Sequence, residues 1–149
     1  RVLIERVRII AQQNRVTYDS PIDVESIIRD IANTKQAFTQ YGGARPYGVA
    51  IIIAGIDQET PRVYSSDITG NYFSYTSIAI GENDERIKEI LRIKYNKNLN
   101  VDGGIKLALG IFKEILGKNF ELNRFDVAYI KKEDSKIVRL DENSLKDYN

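Results

Sequence analysis

Apolar positions recur every three or four residues along much of the chain, and this spacing predicts helices. Over Val2 to Thr17, Leu3, Val7, Ile10 and Ala11 share one face, while Arg6, Arg8, Gln12 and Gln13 fall largely elsewhere. Over the next periodic stretch, Val24, Ile27, Ile28, Ile31, Phe38 and Tyr41 form a second stripe after the turn Asp19-Ser20-Pro21. Asp23 suits its N-cap, because a carboxylate there accepts from free backbone N–H groups. Gly42-Gly43 is the expected stop, since glycine takes a left-handed C-cap at little cost.

The spacing then changes. Tyr47 to Asp57 reads as a strand, and Val49 to Ala54 is apolar on both alternating faces, so both faces need cover. A turn over Asp57 to Pro61 leads to a strand over Arg62 to Asp67. Asp67-Ile68-Thr69-Gly70 is a second turn, whose glycine can take positive φ. Asn71 to Ile80 is the third strand, and the short connections predict an antiparallel meander. Helical spacing returns in Asp84 to Tyr95, with Ile87, Ile90 and Leu91 inward. A fourth helix is expected to be capped by Asp102 and ended by Gly117. Its stripe is Ile105, Ala108, Leu109, Phe112, Ile115 and Leu116. Phe125 to Lys131 and Ile137 to Leu140 read as a hairpin around Glu133-Asp134-Ser135, and Asp141 as the cap of a short last helix. Two helices, three strands, two helices, two strands and a helix predict an α+β fold, with helices layered on antiparallel sheet. The chain's own helices suffice to cover one side of the sheet. The other cover is expected from further sequence or a partner chain.

The 149 residues suggest a single domain spanning residues 1–149. Twenty-two basic residues against 21 acidic ones leave a net charge of +1, without the basic excess or Lys/Arg run of a nucleic-acid binder. No stretch approaches the roughly 18 apolar residues of a membrane span. Cysteine and histidine are absent, which removes disulfides, most zinc and transition-metal sites and His-based triads. Carboxylate, lysine and threonine chemistry remain open. The start at Arg1, with no capping residue before Val2, raises the expectation of further chain upstream.

Candidate chemistry is sparse. The glycines of 42–48 lack the Gly-Lys-Ser/Thr ending of a phosphate loop and follow a helix, not a strand. Gly103-Gly104 and Gly110 make no dinucleotide fingerprint and read as sites of close packing. Asp23 with Glu25, and Glu82 with Asp84 and Glu85, fall in first turns of helices, where negative charge favours the macrodipole. Ser65-Ser66-Asp67 has no candidate base nearby in sequence. The nine tyrosines suit core and interface packing better than base stacking. No catalytic, cofactor or metal residue is assigned.

One segment exceeds turn chemistry. Tyr41-Gly42-Gly43-Ala44-Arg45-Pro46-Tyr47-Gly48 resembles the Gly-Gly-x-Arg-Pro-Phe/Tyr-Gly signature of proteasome α-type subunits. Four further stretches are similar to that family in the same order: Arg1-Val2-Leu3-Ile4, Lys35 to Tyr41, Ile53 to Asp57, and Asp67 to Gly70, which stands where the family has Asp-Pro-Ser-Gly. Tyr75 to Gly81 resembles its Tyr-Lys-Ala-Thr-Ala-Ile-Gly run. The likeness is collinear over roughly the first hundred residues, and archaeal α subunits are the nearest resemblance.

The resemblance implies an N-terminal-nucleophile hydrolase fold, a four-layer α/β/β/α sandwich with antiparallel sheets, here partly present as its C-terminal two-thirds. It implies a non-catalytic, cytoplasmic subunit of the 20S core particle, without cofactor. Its partners would be neighbouring α subunits in a homo-heptameric ring, β-type subunits, and a regulatory ATPase ring. That outer ring templates assembly and controls substrate entry in ATP-dependent protein degradation. The gating segment and the activator-tail lysine pocket have no counterpart here. What carries over is a structural signature loop of Gly42, Gly43, Arg45, Pro46, Tyr47 and Gly48. Arg45 has donors for several carbonyls or carboxylates, and Pro46 favours an extended entry to the strand. The rival is a catalytic β-type threonine protease of the same fold, which needs an N-terminal threonine and an activating lysine.

Overall fold

A computed structural model describes residues 1–43 and 45–148. The chain divides into two compact units, Arg1–Thr76 and Ser77–Asn149, and each is described by itself.

The first unit begins with helix α1, Val2–Tyr18, which buries Leu3 and half-buries Val7, Ile10 and Ala11. Helix α2, Val24–Gln40, follows. Asp23 caps it by accepting from Ser26 N–H at 2.8 Å. Both carboxylate oxygens of Asp57 accept from Val24 N–H at 3.1 Å, tying the helix start to the end of the first strand. Arg6 on α1 donates to Asp30 on α2 across the helix pair.

Strands β1 (Ile51–Asp57), β2 (Thr60–Ser66) and β3 (Tyr72–Tyr75) form an antiparallel sheet in the order β1-β2-β3, the expected meander. The first hairpin is tighter than its sequence suggests. Asp57 pairs with Thr60 across Gln58 and Glu59, which both take positive φ, 46° and 65°. A two-residue loop with both φ values positive matches the right-handed strand twist. The first strand begins at Ile51, not Tyr47, and the third ends at Tyr75, not Ile80. Beyond Tyr75 the neighbouring strand runs back toward Pro61, which has no N–H for a continuing ladder.

Helix α2 covers one face of this sheet. Val24, Ile28 and Tyr64 are its buried centre, with Ile51, Ile53 and Tyr72 packed around them. Side chains alternate across a strand, so the registered sets Ile52, Ser65 and Phe73, and Ala54, Val63 and Tyr75, fall on the opposite face. There Phe73 is 61% exposed and Ile52 37%. The two-sided strand thus has one face packed on α2 and one open.

In the second unit, helices α3 (Asp84–Lys94) and α4 (Val101–Leu116) precede strands β4 (Val127–Ile130) and β5 (Ile137–Leu140), an antiparallel hairpin. Its core gathers Ile105, Leu109 and Leu145 with Phe125, Val127 and Leu140 around them. The cap of α4 is Asn100, which accepts from Gly103 N–H at 2.8 Å, rather than the expected Asp102. Asp102 lies two residues further on, within the first turn, and accepts from Tyr148 Oη–H at 2.9 Å. Gly117 ends α4 with φ 53°, and Asp141 caps the short helix α5, Glu142–Leu145, both as expected. Ile111, outside the predicted stripe, is buried. A Cβ on Gly103 would meet Leu99 at 2.9 Å, but at Gly104 and Gly110 it would meet nothing within 4 Å, so only the first is a close approach.

Candidate functional site

The signature loop leaves the end of α2. The helix closes on Tyr41 in extended conformation, two residues before the positive φ of Gly43, 89°, so glycine shapes the exit and not the cap. Tyr47 packs its ring on Phe38 of α2, centroids 4.9 Å apart at 59°. Arg45, Pro46 and Gly48 are exposed, and Arg45 has no hydrogen bond or ion pair to any described residue. Ala44 lies outside the described residues. Among the described residues this loop is therefore a surface element tied to α2 by an aromatic pair, with an unbonded guanidinium at its centre.

A buried polar cluster lies about two helical turns before the loop begins. The inner row of α2 runs Val24, Ile28, Ile31, Ala32 and then Lys35, which is fully buried. Phe38 and Tyr41, placed in the buried stripe by their spacing, are exposed instead. Lys35 Nζ donates to Asp67 O at 3.0 Å, Ser66 Oγ at 3.3 Å and Ser66 O at 3.4 Å. Ser66, also fully buried, donates its hydroxyl to Asp67 O at 3.3 Å. Burial lowers the Lys35 pKa, while the Asp67 carboxylate pulls the other way.

Asp67 spends its carboxylate on its own turn. It accepts from Thr69 N–H at 2.9 Å, Thr69 Oγ1–H at 2.7 Å, Asn71 N–H at 2.9 Å and Asn71 Nδ2–H at 3.1 Å. Desolvation pushes its pKa up, but these donors outweigh it and hold the group at about 2. A depressed folded pKa contributes stability that is present above the unfolded value and lost as pH falls through the folded one. The Asp67 contribution should therefore persist above about pH 4 and fade toward about pH 2. Asp67→Ala should cost about 1 kcal/mol at neutral pH, a figure kept low because the residue is exposed. Urea unfolding at neutral pH and at pH 2–3 checks this: the gap between wild type and variant should shrink in acid.

A lysine amine beside a serine hydroxyl is a nucleophile–base pair in chemical type, and the sequence gives no hint of it because Lys35 and Ser66 are 31 positions apart. Two observations deny it catalysis. Both residues are sealed, so no substrate reaches Oγ. The amine points three donors at fixed oxygens and has no task as a base. The cluster fastens α2 to the sheet.

Glu25, Asp84 and Glu85 lie in the first turns of their helices as expected, whereas Glu82 precedes the N-cap Asn83 and stands outside the helix. Glu25 pairs with Arg29 at 2.8 Å and accepts from Tyr64 Oη–H at 3.4 Å, while Arg29 also donates to Tyr72 Oη at 3.3 Å. Asp84 pairs with Lys88 at 2.7 Å. Among the described residues there is no cluster of three or more potential metal-ligating side chains, and no helix long and apolar enough to cross a membrane. The second unit carries an open apolar groove of about 430 Å³ between α4 and β4, lined by Ile105, Ala108, Leu109, Phe125, Val127 and Tyr129 with Asp126 among them. It offers no convergent polar groups for chemistry.

Comparison with known proteins converges with this geometry. The family described as "Proteasome subunit" matches residues 1–130. A protein of Methanosarcina acetivorans named "Proteasome subunit alpha" is 38% identical over 149 residues, covering 99% of this chain and 60% of that protein. One from Archaeoglobus fulgidus with the same name is 39% identical over 153 residues, again 99% and 60%. One from Saccharolobus solfataricus is 39% identical over 131 residues, 87% of this chain and 54% of that protein. The chain thus spans about 60% of the length of the curated relatives it matches. With a family match over residues 1–130, an α+β fold with antiparallel sheets and relatives named as α-type subunits, the chain belongs to the proteasome subunit family and is of its α type.

Proposed function

We propose that this chain is a non-catalytic structural subunit of the 20S proteasome core particle, acting in the cytoplasm as part of the outer α ring. That ring templates assembly and controls substrate entry during ATP-dependent protein degradation. Its partners are neighbouring copies in a homo-heptameric ring, β-type subunits, and a regulatory ATPase ring. Residues 1–149 serve as one domain of the sandwich fold, and Gly42, Gly43, Arg45, Pro46, Tyr47 and Gly48 are its structural signature loop.

The observation that carries this reading is the open face of the β1–β3 sheet. A sheet with Phe73 and Ile52 exposed opposite a packed face is one side of a further layer, since each large apolar side chain left in water forgoes roughly 1.5–3 kcal/mol.

A fluorogenic peptide assay tests the catalytic part. The purified subunit should hydrolyse no peptide alone, and turnover should require β-type subunits. Turnover by the subunit alone, blocked by a threonine-directed inhibitor, would overturn the reading in favour of a β-type protease.

A further inference from the structure

The Lys35 cluster has an unusual proton inventory. As an ammonium, Lys35 carries three N–H donors, and three oxygens receive them: Ser66 O, Ser66 Oγ and Asp67 O. The Ser66 hydroxyl spends its own proton on Asp67 O. No carboxylate oxygen is bonded to the amine, so the positive charge is buried against carbonyl and hydroxyl oxygens, with the Asp67 carboxylate acting only through space. As a neutral amine, Lys35 would carry two donors and one lone pair. The two donors match Ser66 O and Asp67 O. The lone pair lies 3.3 Å from Ser66 Oγ, within reach of a rotated hydroxyl. Both protonation states therefore leave no polar atom of the cluster without a partner.

We propose that Lys35, Ser66 and Asp67 form a buried proton site that empties inside the folded chain, the Ser66 hydroxyl turning from the Asp67 carbonyl to the amine as the proton leaves. The proton passes to hydroxide, giving water and a neutral amine, and no covalent bond is made or broken. The site is a conformational device: the fastening of α2 to the 67–71 turn survives the loss of its charge.

The surrounding charges are few. From the turn, the Asp67 carboxylate acts on the amine through space while bonded to Thr69 and Asn71. From α1, Arg6 is paired with Asp30. From the early turns of α2 and from β2 and β3, Glu25, Arg29, Tyr64 and Tyr72 are engaged with one another. From β1, Asp57 is bound to Val24 N–H. Desolvation is thus the main influence, and it lowers the folded pKa below the unfolded one. Between those two values the unfolded chain binds more protons, so stability rises with pH.

The test is NMR of the complete subunit carrying 13Cε-labelled lysine, with amide hydrogen exchange followed in parallel. The Lys35 signal, assigned through its own backbone, should titrate at lower pH than the surface lysines. Through that midpoint the amides of residues 68–71 should keep their protection. Ser66→Ala removes an acceptor that serves the charged form most, so it should lower the midpoint further. Lys35→Met should abolish the alkaline rise in stability, if that variant folds. The inference fails if Lys35 titrates with or above the surface lysines, if protection of 68–71 collapses at its midpoint, or if Ser66→Ala leaves the midpoint in place.

Discussion

Replacing Gly70 with alanine is expected to destabilise the helix–sheet unit by about 3 kcal/mol, combining left-handed strain with overpacking. Gly70 has φ 92°, a region that side chains rarely adopt. The space is also taken. A Cβ there would stand 2.6 Å from the Ala32 carbonyl oxygen, 2.7 Å from Gln36 Cγ and 3.0 Å from Gln36 N. Gln36 Cγ can swing aside, but two of the three neighbours are helix backbone, which cannot. The 67–71 turn would have to lift off α2, and Lys35 would lose the carbonyls that receive it. Gly42→Ala is the matched control. Its Cβ meets nothing within 4 Å, so it should stay within about 0.5 kcal/mol of wild type. Urea unfolding of both variants checks the contrast, and equal midpoints would mean that the turn does not rest on α2.

The second large effect concerns the open sheet face. This chain should self-associate or co-purify with the chain that completes its layer, because Ile52, Phe73 and Tyr75 lie exposed on one surface. Changing Ile52 and Phe73 together to lysine should weaken that association by about 3 kcal/mol, on the order of 100-fold in Kd. The change leaves the α2 side of the sheet untouched, since Ile51, Ile53 and Tyr64 hold that core. Sedimentation velocity reads the result. A wild-type chain that stays a monodisperse monomer at tens of micromolar would refute the expectation.

Much of this architecture is legible in the sequence because short-range rules govern it. Asp23 and Asp141 cap their helices from adjacent positions. The unbroken apolar run through Ile51, Ile52 and Ile53 marks a strand with two apolar sides, and only one is covered. The signature loop was recognisable from its residues, yet its geometry was not. Phe38 packs on Tyr47, and the arginine at the loop's centre reaches no partner among the described residues.

The polar core escaped the sequence for a physical reason. A lysine at the end of an apolar row ordinarily marks the edge of a buried stripe, with its charge in water. Lys35 reverses this because Ser66 and Asp67, more than 30 positions away, bring three oxygens to its amine. Phe38 and Tyr41 were placed inward by the same spacing and are exposed, because the sheet beneath α2 gives way to the 67–71 turn at Ala32 and Gln36. The cap of α4 lies two residues before the position its sequence predicts. Asn100 and Asp102 are both good capping types, and only the Gly103 N–H direction separates them.

The proposed function requires that this α-type chain build rings and cut no bonds. Native mass spectrometry of the complete subunit, alone and then with β-type subunits, tests it most directly. Rings of seven copies, stacking on β subunits when these are added, are the predicted result. Monomers or small oligomers that never close into sevenfold rings, with or without β subunits, would contradict it.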